Sequence, residues 1–281
     1  MIDNLLLCVG AQKTGTTWLH SQLKEHPQIG FSDVKEVHYF NTIHNGSILL
    51  TTRKVSYIKK LIENNRFALE NYFTKLSQGK PVDKGIQKLL SPVDDDWYIN
   101  HLKTDKKYAA DFTPEYALLP DAGFENIKKV SKQQKVIFIM RDPISRAKSA
   151  IQYYFQTHNL DINTATDSFI MEVANKSFIL NMSRYQDTVE KVDSYFKKED
   201  VLYMFFEEIM EDKKSKLVEV SNFLDLEVEN ISEENLEKRV NTSKKYQFNE
   251  VVESFLIENL SETYKFIENK FGYLPDKWVC K

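Results

Sequence analysis

Residues 5–18, LLLCVGAQKTGTTW, constrain the fold more than any other stretch of this chain. A run of apolar residues ends at Gly10. The loop Ala11-Gln12-Lys13-Thr14-Gly15-Thr16-Thr17 then leads through Trp18 into a segment whose Leu19 and Leu23 repeat at helical spacing. Strand, glycine-bounded loop and helix, in that order, build an anion cradle. Successive backbone N–H groups and the positive end of the helix converge on one point. Gly10 and Gly15 have the spacing of the nucleoside-triphosphate loop G-x-x-x-x-G-K-[ST], but residue 16 is threonine where that loop has lysine. The loop's only lysine, Lys13, lies inside the turn. The lysine that reaches the terminal phosphates of ATP or GTP is missing, and a cradle with displaced charge remains.

The rest of the chain supplies a matching scaffold. Short apolar runs at 4–9, 107–112, 135–140 and 200–206 read as buried strands. Helical patterns at 16–26, 54–77, 115–131, 142–157, 177–197, 213–224 and 250–270 lie between and after them. The alternation predicts an α/β fold, a parallel sheet with helices on both faces and ligands at the carboxyl ends of the strands. A chain of 281 residues without repeats or a Pro/Gly/Ser-rich linker reads as one domain, 1–281. The polar, helical segment 41–105 is expected as an insert near the sheet edge or an acceptor cleft.

Charge narrows the partners. The net charge is −3, which gives no support to broad nucleic-acid or anionic-membrane binding, so any basic site must be local. Cys8 reads as a small core residue in a reducing compartment and Cys280 as a surface thiol, with a disulfide between them left open. With the fold read as beginning at residue 4, no signal peptide is expected before the first strand, and the apolar runs are too short to span a bilayer. A cytoplasmic protein is expected. The histidines show no metal-ligand spacing, and Asp94-Asp95-Asp96 reads as acids at the positive end of a helix.

A second strand–helix junction, KVIFIMRDPISRAKSAIQYY (135–154), places Arg141 at a strand tip. Asp142 can cap the following helix and Pro143 suits its first turn. Ser149 falls early in that helix, and Arg141 and Ser149 can converge on one anion. A capped helix with solvated basic residues is the plain alternative. Lys35-Glu36-Val37-His38-Tyr39-Phe40 follows the first helix. In an extended segment Glu36 and His38 point to the same side, and a positioned carboxylate can take a proton from a hydroxyl. Asp111-Phe112-Thr113-Pro114-Glu115-Tyr116 follows a strand. Ser183-Arg184-Tyr185 opens a helix, VLYMFFEE (201–208) is a strand ending in acids, and Arg239–Tyr246 is a small basic segment.

Together these segments resemble the sulfotransferases that use 3′-phosphoadenosine 5′-phosphosulfate (PAPS), in particular a bacterial-type single domain of the carbohydrate and heparan sulfate branch. The resemblance runs from residue 5 to about 274 and implies a P-loop NTPase-like three-layer fold. It implies that Gln12, Lys13, Thr14, Gly15, Thr16, Thr17 and Trp18 hold the 5′-phosphosulfate. Arg141 and Ser149 would hold the 3′-phosphate, and Ser243, Lys244 and Lys245 would cover the nucleotide. It further implies Lys13 and Glu36 as catalytic, with His38 second as base. His38, Tyr39, Phe40, Thr113, Tyr116 and Tyr185 would lie toward the acceptor, a hydroxyl or amine of a saccharide or small natural product. Heparan-type members often carry lysine where this chain has Phe112, which argues against a heavily anionic acceptor. The product would be 3′,5′-ADP, with no metal. A P-loop nucleotide kinase and a non-catalytic 3′,5′-ADP-binding protein are the alternatives.

Overall fold

The computed structural model describes residues 1–227 and 246–278. Ser243, Lys244 and Lys245, expected over the nucleotide, and Cys280 lie outside the described residues. Five parallel strands form one sheet in the order β2-β3-β1-β4-β5: β1 (Ile2–Gly10), β2 (Ile29–Phe31), β3 (Tyr108–Asp111), β4 (Ser131–Met140) and β5 (Val201–Phe205). β1 is central and buried on both faces, which is why its sequence is a continuous apolar run. Leu5, Leu7 and Val9 enter one core, and Leu6 and Cys8 enter the other. All five are fully buried. Trimming Leu7 to alanine there removes buried volume and costs about 2–5 kcal/mol.

The helices cover both faces. On the Leu6 side lie α1 (Thr16–Leu23), α11 (Phe206–Glu211) and α12 (Lys213–Phe223). On the Leu5 side lie α2 (Tyr39–His44), α5 (Asp95–His101), α6 (Asp121–Val130), α10 (Tyr185–Tyr195) and part of α13 (Glu250–Phe271). A third cluster joins α7 (Pro143–Thr157), α8 (Asp167–Ala174), α9 (Leu180–Ser183) and the start of α13. α3 (Leu49–Ser77) and α4 (Lys84–Leu90) lie at the periphery. The three-layer α/β arrangement matches the expectation from sequence.

Several boundaries differ, each for a local reason. The expected helix 115–131 is a 3₁₀ turn, Pro114–Leu118, followed by α6, because Pro120 stands at the break as the cap of α6. The expected 177–197 helix breaks at Arg184 into α9 and α10. The segment 54–77 starts earlier, at Leu49, and is interrupted at Asn65, whose φ/ψ of −152°/54° is not helical. β5 stops at Phe205, so Glu207 and Glu208 open α11 rather than end a strand. The expected caps do form. Asp142 accepts from Ser145 N at 2.7 Å, and Asp94 accepts from Trp97 N at 2.7 Å.

The strand order sets the place of the site. Chain after β1 runs toward β2 and β3, and chain after β4 runs toward β5. The carboxyl ends of β1 and β4 therefore flank the switch point, where sheets of this kind leave a crevice. The loop 11–15 and Arg141 both emerge there.

Candidate functional site

The loop after β1 is shaped by two glycines. Gly10 has φ 149°, and a Cβ on it would lie 2.8 Å from the Pro114 carbonyl oxygen. Gly15 is left-handed, with φ 91°, and caps α1. The first α1 amide bonded back along the helix is that of Leu19, to Gly15 O at 3.1 Å. Helix geometry leaves the amides of Thr16, Thr17 and Trp18 without an intrahelical acceptor. The loop carbonyls are turned the other way. Arg146 Nε donates to Gln12 O at 2.9 Å, and Arg141 Nη1 donates to Lys13 O at 3.2 Å. Thr14 Oγ1 donates to Ala11 O at 2.6 Å, closing the turn from inside.

These contacts gather positive charge. Arg146 is fully buried and donates also to Phe178 O, Ile179 O and Ser183 Oγ. Among the described residues, Lys13, Arg141 and Arg146 form no ion pair with an acid. Arg141 instead stacks on Phe206, 4.9 Å from the ring centre, and the Lys13 ammonium lies 4.6 Å over Tyr153. Burial, and then Arg141 and Arg146, push the Lys13 amine below its ordinary range. Three cations without an acid fit a polyanionic ligand. The Trp18 indole Nε1, in the core beneath the start of α1, is buried without a hydrogen-bond partner. Arg141 is placed to serve such a ligand only by leaving Lys13 O or sharing with it. Ser149 is half-buried on α7, one helical turn past Arg146.

Beside the cradle, Lys35 Nζ lies 2.9 Å from Thr17 Oγ1 and 3.0 Å from Glu36 Oε1. It ties the anion loop to the carboxylate. Glu36 and His38 do face each other, Oε2 to Nε2 at 3.5 Å, though not by strand alternation. Residues 32–38 are irregular, and His38 is left-handed with φ 61°, capping α2. On its other side His38 Nδ1 is 3.0 Å from Glu115 Oε2. Burial disfavours the imidazolium, but the two carboxylates outweigh it and raise His38 to about 9. Burial likewise opposes ionisation of Glu36, but His38 and Lys35 overcome it and hold the carboxyl at about 2.

The segment carrying Glu36 is anchored from below. Asp111, fully buried at the end of β3, accepts from Thr113 Oγ1 at 2.6 Å, Tyr116 OH at 2.7 Å and Tyr98 OH at 3.1 Å. Thr113 Oγ1 in turn accepts from Val37 N at 3.0 Å, and Tyr116 OH accepts from Tyr39 N at 3.0 Å. Arg53 of α3 donates to Glu36 O at 2.6 Å. Five residues expected toward the acceptor are inside the protein. Tyr39, Phe40, Thr113, Tyr116 and Tyr185 expose 1% of their surface or less. Thr113 and Tyr116 hold residues 37–39, and Phe40 packs against Tyr98 and Tyr116. Tyr39 OH donates to Asp95, and Tyr185 OH donates to Arg141 O at 2.7 Å. All five lie inside the protein, and the hydroxyls of Tyr39, Thr113, Tyr116 and Tyr185 are already bonded to protein. Glu207 is structural too, accepting from Asp142 N and Trp278 Nε1. Lys35 and Glu115 have roles that the sequence motifs did not single out. Only their proximity to Glu36 and His38 reveals them.

Comparison with known proteins matches residues 3–269 to the model of the sulfotransferase domain family. A curated relative, the membrane-associated sulfotransferase kil1 of Dictyostelium discoideum, is 22% identical over 278 residues. That match covers 80% of this chain, and the chain spans 58% of the relative's length. Among solved structures, a sulfotransferase from Alicyclobacillus acidocaldarius superposes with a TM-score of 0.65 at 16% identity, covering 99% of both chains. A sulfotransferase from Mycobacterium avium superposes with a TM-score of 0.55 at 13% identity, over 98% of this chain and 78% of that one. At these identities the superpositions establish a shared fold.

Proposed function

This chain belongs to the sulfotransferase family, and we propose that it moves a sulfuryl group from PAPS to a hydroxyl of a saccharide or small natural product. The observation that carries the reading is the convergence of Lys13, Arg141 and Arg146 on a strand-tip loop with no acid among the described residues to neutralise them. A donor with phosphates at both 3′ and 5′ supplies that charge. Once bound, PAPS provides a sulfuryl sulfur whose bond to the bridging phosphate oxygen breaks as a bond to the acceptor oxygen forms.

This chain's residues divide the work. The loop from Gln12 to Trp18 holds the 5′ end through its amides, with Lys13 beside the oxygen where negative charge develops. Arg141 and Ser149 take the 3′-phosphate, and Ser243, Lys244 and Lys245 belong to the same reading as the cover. Glu36 accepts the acceptor's proton. At neutral pH its carboxylate is ionised, whereas His38 is held protonated between Glu36 and Glu115 and has no lone pair to offer. This supports Glu36 over His38 as base. Lys35 keeps Glu36 next to Thr17. In this reading residues 1–281 are one domain in a cytoplasmic setting.

A nucleotide kinase is disfavoured by Thr16 in place of the phosphate-reaching lysine. Calorimetric titration with 3′,5′-ADP and with ATP, followed by an acceptor screen with labelled sulfate, tests the proposal. Binding of 3′,5′-ADP, weak binding of ATP and label in an acceptor are expected. Equal binding of ATP would overturn the donor assignment, and donor binding with no transfer would favour a non-catalytic binder.

A further inference from the structure

His38 presents each of its ring nitrogens to a different carboxylate. Nε2 is 3.5 Å from Glu36 Oε2, and Nδ1 is 3.0 Å from Glu115 Oε2. An ionised carboxylate only accepts hydrogen bonds, so both nitrogens must donate and the ring must carry two protons. The ring cannot turn away from this pair. It is buried, on a left-handed residue, and the amides of Val37 and Tyr39 on either side are held by Thr113 Oγ1 and Tyr116 OH. Glu115 stands between those two anchors in the chain, so the turn that fixes the histidine also fixes the carboxylate facing it.

The other charges around the ring do not replace the pair. Lys35 is engaged by Thr17 and Glu36, Arg53 of α3 by Glu36 O, and Asp111 beneath accepts from the hydroxyls of Thr113, Tyr116 and Tyr98. On α2, Asn41 Nδ2 is nearer to Glu115 Oε2, at 2.9 Å, than to His38 Nδ1, at 3.3 Å. One oxygen of Glu115 therefore accepts from both the ring and the amide. A glutamine at 115 can offer an oxygen in the same place, so that substitution removes the charge and keeps both hydrogen bonds.

Sulfuryl transfer, the reading on which this inference rests, needs one proton acceptor, and two groups of suitable chemistry stand side by side. We propose that Glu115 selects between them: it is a positioning residue that pins the second proton on His38, silences that ring as a base and leaves the acceptor's proton to Glu36. His38 is then a base held in reserve. With Glu36 trimmed to alanine and Glu115 changed to glutamine, Nδ1–H still donates to the new amide oxygen. Nε2 is left with a lone pair facing the space of the lost Glu36 carboxylate. A water in that space takes the acceptor's proton as it passes one of its own to Nε2, so the proton that Glu36 accepted now rests on His38.

The test is a suppressor experiment on the full chain. Transfer of labelled sulfate from PAPS, to water and to the acceptor found by screening, is measured for the parent, Glu36→Ala, Glu36→Ala/Glu115→Gln, and that double variant with His38→Ala added. At about pH 8 the double variant should be at least about tenfold faster than Glu36→Ala, and His38→Ala should abolish the gain. The recovered rate should rise with pH through about 6.5, the ordinary value of a histidine that must be neutral to act. A Glu115 that only supports the fold would make the double variant slower than the single one, and an equal or lower rate overturns the proposal. Nitrogen-15 NMR of the imidazole at the same pH reads the protons without any acceptor. The parent should be protonated at both nitrogens and the double variant at Nδ1 alone. A neutral His38 in the parent, or a doubly protonated one in the double variant, also overturns it. A parent chain that transfers no sulfate refutes sulfuryl transfer itself, and the nitrogen shifts then decide by themselves whether Glu115 pins the proton.

Discussion

His38 Nδ1 lies 3.0 Å from Glu115 Oε2, and this contact between two separate segments of the chain helps fix the charge on the histidine. Together with Glu36 it raises His38 from an ordinary 6.5 to about 9. A raised histidine stabilises the fold fully below pH 6.5, and that contribution is lost as pH rises through 9. Glu36, lowered to about 2, contributes above the ordinary carboxylate range and loses its contribution as pH falls through about 4 toward 2. Glu115→Gln should lower the His38 pKa, read by NMR titration of the imidazole, and shrink the loss of stability between pH 6 and pH 9. An unchanged imidazole titration would show that Glu115 does not hold the proton.

Glu36→Gln keeps shape and removes the proton acceptor. The expected outcome is near-normal 3′,5′-ADP affinity with kcat lower by roughly 10²–10⁴. His38→Ala, measured with the same acceptor, should cost less. An inactive His38→Ala beside an active Glu36→Gln would reverse the assignment of the base.

Lys13→Ala should lower turnover far more than it weakens 3′,5′-ADP binding, by on the order of 10²–10³ in kcat. The lysine stands over Tyr153 with no acid partner among the described residues, so its removal disrupts no ion pair there. Steady-state kinetics beside calorimetry separates the two effects. An equal loss in both would make Lys13 a binding residue only.

Arg141→Ala and Ser149→Ala should weaken 3′,5′-ADP more than 5′-AMP, each by about 1.5–3 kcal/mol if the contact is charge-assisted. Arg141 also braces Lys13 O, so its variant should lose a little affinity for 5′-AMP as well. Loss of the same size for both ligands would remove the 3′-phosphate from its role.

Arg146→Met should destabilise the fold by roughly 3 kcal/mol or more, because Gln12 O, Phe178 O, Ile179 O and Ser183 Oγ lose their buried donor together. Urea unfolding measures this. A variant as stable as the parent would mean that water replaces the guanidinium.

What could be read from sequence follows the physics of burial. β1 and β4 were legible because strands covered on both faces must be apolar throughout. β2 has three residues, Ile29–Phe31, too few for any period to register. The glycine-bounded loop that carries Lys13 was legible because Gly10 and Gly15 bracket it at the spacing of an anion cradle. The facing of Glu36 and His38 was anticipated for the wrong reason. A left-handed His38, held by Thr113 and Tyr116 beneath it, does what alternation along a strand was expected to do. The Asp111 hub joins residues far apart in the chain, and no local pattern announces such a network. For the same reason sequence did not show that Thr113 and Tyr116 are buried and bonded to the backbone of residues 37 and 39.

The Arg146 contacts carry a consequence for synthesis on the ribosome. The loop 11–15 is made well before Arg146, yet its Gln12 carbonyl is held by Arg146, which itself donates to Phe178 O, Ile179 O and Ser183 Oγ. A nascent chain ending before residue 183 has the nucleotide-loop sequence without the nucleotide-loop shape. Donor affinity should therefore arrive abruptly, once residues 178–183 have been made, rather than with the appearance of the motif.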